Sequence, residues 1–221
     1  FISNLGNRQF GSPVISFPPE PPFPNTAQFY DLGVGDFNHD GNLDVVALQD
    51  QQGKRLRFFS FSGQGALTVY RTLYAVGQDN SYEGTMDIAD LNGDNWPDVI
   101  LAAGGPFGPR NVSFVMSQVE ASLDLIFAFE TIDIPVGFGI VDVDGDSDKD
   151  LIIAFADHST PTQHSVQTFV NAGGAFSAGN RIAIDYPFEP RYITAGDYND
   201  DGRQDFAALV GAMLMVSYGR G

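Results

Sequence analysis

The apolar positions of this chain fall into short continuous runs separated by polar loops, and no segment follows a helical period. Four runs stand out: Val45-Val46-Ala47-Leu48, Val99-Ile100-Leu101-Ala102, Leu151-Ile152-Ile153-Ala154 and Phe206-Ala207-Ala208-Leu209. Runs of this length read as strands buried on both faces. Each is preceded by a segment of smaller residues: Leu32-Gly33-Val34-Gly35, Met86-Asp87-Ile88-Ala89, Phe138-Gly139-Ile140-Val141 and Ile193-Thr194-Ala195-Gly196. Small side chains there suit a strand crowded against a central axis. A third strand follows, with aromatic content in Arg57-Phe58-Phe59-Ser60-Phe61, Ser113-Phe114-Val115-Met116 and Thr168-Phe169-Val170, and as Met213-Leu214-Met215-Val216 in the last copy. A fourth is read at Leu67-Thr68-Val69-Tyr70-Arg71 and Leu125-Ile126-Phe127-Ala128-Phe129.

Between the first and second strands of every copy lies the same ladder, Asp-x-Asn/Asp-x-Asp-x-x-x-Asp. Its first aspartates are Asp36, Asp90, Asp142 and Asp197, spaced by 54, 52 and 55 residues. A period near fifty with four strands per repeat predicts an all-β fold, a β-propeller with four blades of four antiparallel strands. The repeats run approximately over 25–78, 79–132, 133–186, and 187–221 together with 1–24, within a single domain spanning 1–221.

The two ends share one phase. Phe1-Ile2-Ser3-Asn4-Leu5-Gly6 resembles a third strand, and the chain stops at that phase with Val216-Ser217-Tyr218-Gly219. Residues 9–17 then read as the missing fourth strand of the last blade, so the ring is expected to close by pairing the N-terminal strand with that blade, which removes both sheet edges. The same phase also suits one unit of a longer tandem array, closed rings repeated like beads.

In a tight loop, side chains at positions 1, 3 and 5 converge on one point, position 9 closes the shell, and the position-7 carbonyl fills a gap. The resulting donor sets are Asp36, Asn38, Asp40, Asn42 and Asp44; Asp90, Asn92, Asp94, Trp96 and Asp98; Asp142, Asp144, Asp146, Asp148 and Asp150; and Asp197, Asn199, Asp201, Arg203 and Asp205. Asn42, Trp96, Asp148 and Arg203 contribute only their carbonyls. An all-oxygen, mostly carboxylate cage suits a hard cation of flexible geometry, so up to four Ca2+ ions are expected, one per blade. An EF-hand is excluded because its closing Glu at position 12 is replaced by Ala47, Leu101, Ile153 and Ala208, and because strands rather than helices flank the loop. The sixth position wants a residue tolerant of positive φ: Gly41 and Gly202 meet this freely, Asn95 acceptably and Ser147 poorly.

With loops and flanks in view, the chain resembles the FG-GAP/VCBS repeat family, whose calcium-loop repeats build the propellers of integrin α chains and of certain fungal lectins. The resemblance spans essentially the whole chain and is strongest at Gly35-Asp36-Phe37-Asn38-His39-Asp40-Gly41-Asn42-Leu43-Asp44-Val45-Val46 and at Gly196-Asp197-Tyr198-Asn199-Asp200-Asp201-Gly202. The FG and GAP flanks are mostly eroded, Ala103-Gly104-Gly105-Pro106 being the nearest echo. The resemblance implies a structural calcium in the loop between the first two strands of each blade. Familiar propellers of the family have more blades than the four read here. This is either a small ring or a piece of a larger one, and the shared phase of the ends favours four.

The net charge of −17 repels nucleic acid and anionic membranes, and thirteen of the acidic side chains sit at ladder positions. With no cysteine, disulfides, zinc–thiolate sites and cysteine nucleophiles are excluded. No signal-peptide or membrane-spanning pattern appears in this segment, so no membrane insertion is expected. The carboxylates are committed to the loops, and there is no nucleophile elbow, P-loop or dinucleotide fingerprint. The chain is therefore not expected to be an enzyme. Of the three histidines, His39 occupies an outward loop position, while His158 and His164 flank Ser159-Thr160-Pro161-Thr162-Gln163 and read as exposed loop residues. Trp96, the single tryptophan, reads as loop packing rather than an exposed sugar platform. Asn111-Val112-Ser113 is the single N-glycosylation sequon, and Phe17-Pro18-Pro19-Glu20-Pro21-Pro22-Phe23-Pro24 reads as a stiff extended connector.

Loops of this kind need abundant calcium, which favours an extracellular or cell-surface location. The expected function is a calcium-stabilised structural or adhesive module, a unit of a filament or surface stalk, with other copies of itself or cell-surface and matrix proteins as partners. Two alternatives stand beside it: a lectin that binds glycans between blades, and a non-catalytic propeller appended to an enzyme.

Overall fold

The computed structural model describes residues 4–6, 9–10, 28–50, 54–61, 67–74, 85–103, 110–117, 123–131, 133–157 and 163–219. The connector 17–24, His158, the stretch 159–162 and the echo at 104–106 lie outside them. All regular structure among the described residues is antiparallel strand. A short pair, β1 (Asn4–Gly6) and β2 (Gln9–Phe10), comes first. Sheet 1 follows as β3 (Gln28–Gly35), β4 (Asp44–Asp50), β5 (Lys54–Phe61) and β6 (Leu67–Tyr74). Sheet 2 is β7 (Thr85–Ala89), β8 (Asp98–Ala103), β9 (Asn111–Ser117) and β10 (Leu123–Glu130). Sheet 3 is β11 (Ile134–Val141), β12 (Asp150–Ala156), β13 (His164–Ala172) and β14 (Ala175–Ile184), and sheet 4 is β15 (Pro190–Gly196), β16 (Asp205–Val210) and β17 (Met213–Ser217). Within each sheet the strands lie in chain order, each hydrogen-bonded to the next.

The closing strand expected at residues 9–17 differs in the part that is described. Gln9 and Phe10 pair with β1, not with β17, and sheet 4 has three strands among the described residues. A two-residue strand six positions from its partner is most easily satisfied by a local hairpin, because joining it to β17 means closing almost the whole chain.

The core lies between sheets, and its chemistry follows the strand period. From each closing aspartate, every second residue points to the next sheet and the residues between point to the previous one. Val46, Leu48, Leu56 and Phe58 of sheet 1 thus meet Met86, Val99, Leu101 and Val115 of sheet 2. Ile100, Val112, Phe114 and Met116 meet Leu151, Ile153, Phe155 and Phe169 of sheet 3. Ile152, Ala154 and Val166 meet Ile193, Phe206, Ala208 and Val210 of sheet 4. The first strands β3, β7, β11 and β15 all line one shared cavity of about 730 Å³.

By the same register, sheet 4 turns Leu209, Leu214 and Val216 away from sheet 3, and these are exposed, Leu214 by 67%. Sheet 1 turns Leu32 (68% exposed) and Val34 away from sheet 2, although Met86 and Ile193, the counterparts of Leu32, are buried. Sheets 1 and 4 each present an apolar half-interface of the kind that the inner sheets bury.

Candidate metal centres

Each ladder sits where the first strand hands over to the second, and its side chains fold back onto the loop's own amides. At position 1 the carboxylate gathers the turn. Asp36 accepts from the N–H of Asp40 (3.1 Å) and Gly41 (2.9 Å), and Asp90 from Gly93 (2.8 Å), Asp94 (3.2 Å) and Asn95 (2.8 Å). Asp142 accepts from Gly145 (2.7 Å) and Ser147 (3.0 Å), and Asp197 from Asp201 (3.1 Å) and Gly202 (2.8 Å).

Position 3 accepts from the amide two residues on, by Asn38, Asn92, Asp144 and Asn199. Position 5 repeats this with Asp40, Asp94, Asp146 and Asp201, whose partners are the N–H groups of Asn42, Trp96, Asp148 and Arg203. Residues with short acceptor side chains favour such turns. The effect is to hold successive side chains of each loop against its own backbone. In loop 3 the carboxylates of Asp142, Asp144 and Asp146 have oxygens within 4.8 Å of one another.

Position 9 behaves differently. Asp44, Asp98, Asp150 and Asp205 are all buried, at the start of the second strand. One oxygen of Asp98, Asp150 and Asp205 accepts from the position-2 amide, that of Leu91 (2.9 Å), Val143 (2.7 Å) and Tyr198 (2.9 Å). The other accepts from the third strand or the residues just after it, at Ser117 (2.9 Å), Asn171 (2.8 Å) and Gly219 (2.7 Å). Asp44 accepts from the backbone N–H groups of Phe37 and Asn38, and also takes the hydroxyl of Tyr70 at 2.9 Å and the side-chain amide of Asn38 at 3.4 Å. Position 9 is thus a clasp between loop and sheet, and the cluster of three carboxylates among the described residues is that of positions 1, 3 and 5 in loop 3.

Burial raises the pKa of Asp44, Asp98 and Asp150, Asp98 to about 6. Backbone hydrogen bonds pull Asp98 and Asp150 back, and neighbouring ladder carboxylates push them up again. Asp40, open to solvent, is lowered by its hydrogen bonds from Asn42. Charge of one sign is therefore concentrated in each loop, and the donors are all oxygen. That set fits a hard divalent cation.

The family profile described as FG-GAP-like repeat matches residues 36–101 and 142–208. Each match starts on a position-1 aspartate and ends in the second strand of the following repeat, so the two together take in all four loops. The chain belongs to the FG-GAP-like repeat family. Its sheets of this FG-GAP-like type form a β-propeller-like repeat module. A search of curated proteins found no match.

Sequence reasoning missed two features of these FG-GAP-like loops and the placement of His164. Position 4 also has positive φ, at His39 (59°), Gly93 (77°), Gly145 (83°) and Asp200 (58°), a need that the two glycines signalled. The position-2 residue is a plug. Phe37 (0% exposed), Leu91 (1%) and Val143 enter the cores between successive sheets, whereas Tyr198 is 47% exposed beside the open face of sheet 4. His164 is not an exposed loop residue. It opens β13, is buried, and accepts the Asp157 N–H on Nδ1 at 3.3 Å. Trp96 is half-buried and stacks on His39, ring centroids 3.4 Å apart. No helix among the described residues is long and apolar enough to cross a membrane.

Proposed function

We propose that this chain is an extracellular, calcium-stabilised β-propeller of four blades that serves as a structural or adhesive module. The observation that carries the reading is the fourfold ladder itself, whose side chains at positions 1, 3 and 5 fold back onto the amides of every loop and whose carboxylates converge in loop 3. Calcium would supply the positive charge that the clustered carboxylates lack. In loop 3 the side chains of Asp142, Asp144, Asp146 and Asp150 with the carbonyl of Asp148 would hold it, and the corresponding residues would do so in the other loops. The position-1 carboxylate keeps the turn wound, and the position-9 clasp ties that turn to two strands at once. Ion binding is thereby linked to the hairpin joining the first and second strands of each sheet.

The open faces of sheets 1 and 4 support closure into a ring. Tyr198, Leu209, Leu214 and Val216, all exposed, would supply one half of a fourth interface, and the exposed Leu32 and Val34 would belong to the other. The shared cavity between β3, β7, β11 and β15 agrees with four blades around one axis. A rigid disc of this kind presents its rim and loop face to partners, other copies of itself or surface and matrix proteins.

Thermal unfolding in calcium and in excess chelator, with bound calcium counted per chain, tests the reading. Close to four ions and a large loss of midpoint on chelation are expected. No bound calcium and an unchanged midpoint would overturn it. A second reading, a carbohydrate-binding propeller, draws on the exposed aromatic rings of Phe29, Tyr30 and Tyr192 at the shared cavity. A glycan array, with Tyr192→Ala as the comparison, separates the two: saccharide binding lost in that variant would favour the lectin.

A further inference from the structure

The four loops are not isolated from one another, and the link recurs at one structural position. In sheets 2 and 3, the residue that donates its backbone N–H to the position-9 aspartate also sends its side chain to the preceding loop. In sheet 3 this residue is Asn171, 1% exposed. Its N–H meets Asp150 at 2.8 Å, while its Nδ2 donates to the Leu91 carbonyl of loop 2 at 2.7 Å and to the Lys149 carbonyl at 3.1 Å. Its Oδ1 accepts from Gly174 N–H at 2.8 Å, which fixes which way the amide faces.

Leu91 lies between Asp90 and Asn92, and its own N–H is held by Asp98. The peptide that carries the first two donors of loop 2 is therefore gripped on both sides, from its own sheet and from the next. In sheet 2 the residue is Ser117, whose N–H meets Asp98 and whose hydroxyl lies 2.8 Å from Nε2 of His39 in loop 1. His39 also stacks on Trp96 of loop 2. In sheet 4 the position is Gly219, which has no side chain to extend. A Cβ there would come within 2.5 Å of the Gln204 carbonyl oxygen. Among the described residues no hydrogen bond joins loop 4 to loop 3.

We infer that Asn171 and Ser117 couple cation binding between neighbouring loops, so that loops 1, 2 and 3 load as a cooperative set and loop 4 loads independently. This rests on the calcium reading above. An ion held by Asp142, Asp144, Asp146 and Asp150 would fix the Asp150 carboxylate, and with it the Asn171 that donates its N–H to it. Ordered Asn171 in turn holds the Leu91 peptide in the conformation loop 2 needs to bind. Coupling of this kind is reciprocal, and its usual size is a factor of about 5 to 150 in affinity.

The test is a Ca2+ titration of the whole chain followed residue by residue through backbone amide NMR signals, with Gly93 and Asn95 reporting loop 2 and Gly202 reporting loop 4. Asp144→Asn weakens loop 3 at an exposed side chain. It is expected to raise the half-saturation concentration of loop 2 about fivefold or more. Asp201→Asn, which weakens loop 4, is expected to leave loop 2 unchanged. Asn171→Ala is expected to weaken loop 2 to a similar degree and to abolish its response to Asp144→Asn. A loop 2 that ignores Asp144→Asn, or that still responds to it in Asn171→Ala, overturns the coupling. Should Asn171→Ala fail to fold, the contrast between Asp144→Asn and Asp201→Asn decides alone. Wild-type loops that bind Ca2+ independently overturn the coupling but leave the calcium reading standing, whereas a wild-type chain that binds no Ca2+ overturns both.

Discussion

Gly35, the last residue of β3, lies beneath the ring of Pro97 in loop 2, where a Cβ would stand 2.9 Å from both Pro97 Cβ and Cγ. This contact sets how closely the first strand of one sheet approaches the loop of the next. A proline ring cannot swing aside as a long side chain can. Gly35→Ala is therefore expected to destabilise the chain by about 1–3 kcal/mol, read from the denaturant midpoint in saturating calcium. An unchanged midpoint would show that the two sheets are free to separate there.

Ser147 offers a gain in the opposite direction. It holds φ at 80°, a left-handed conformation that its counterparts Gly41 and Gly202 adopt without a Cβ. Ser147→Gly is expected to stabilise the protein by about 1 kcal/mol. Its calcium affinity at loop 3 is expected to rise or hold. A loss of stability would mean that the serine side chain has a role beyond its backbone angle.

The buried clasps make stability depend on pH. Asp98 titrates at about 6 in the metal-free fold, against an ordinary value of 3.8. Because the folded chain holds this proton more tightly than the unfolded one, the contribution of Asp98 to metal-free stability is fully present below the ordinary value. It falls as pH rises from 3.8 to about 6. Asp44 and Asp150, raised by burial, act in the same direction, while the lowered Asp40 acts against them. A cation bound at these loops would have to displace these protons. Melting curves at stepped pH should show a metal-free midpoint that rises on acidification and a calcium-induced increment that shrinks below about pH 6. An increment of constant size between pH 5 and pH 7 would refute the linkage.

Leu214 tests whether the fourth interface forms. If sheets 1 and 4 close on one another, Leu214→Glu buries a charge and should cost about 3 kcal/mol or more. If that face stays in water, the same change should fall within about 0.5 kcal/mol of neutral. Equilibrium unfolding of the variant at high calcium reads the difference directly.

What could be read beforehand divides by distance along the chain. The ladder side chains act on amides two to five residues away, so their spacing declared the loops, their positions and the strands on either side. The four apolar runs likewise became β4, β8, β12 and β16, since a run buried on both faces leaves little other choice. Asn171 was not legible in the same way, because its carbonyl partner Leu91 lies 80 residues earlier and nothing in the local pattern marks it. His164 failed for a related reason. Its polar neighbours suggested a loop, but the β12–β13 hairpin draws it inside. Position 4 of the loops was obscured because His39 and Asp200 adopt a backbone angle more familiar from glycine.

Each seam between sheets joins two unlike faces, a plugged one with Phe37, Leu91 or Val143 and a receiving one from the following sheet. Because every sheet carries one of each in the same order, a gene that gains or loses one whole copy still leaves matching surfaces at the new junction. Changes in length by complete copies then reuse the same kind of seam between neighbouring sheets, whereas a cut inside a copy strands an unmatched face. Inheritance in such a lineage would favour additions and losses of whole units of 52 to 55 residues, the spacing already written into this chain.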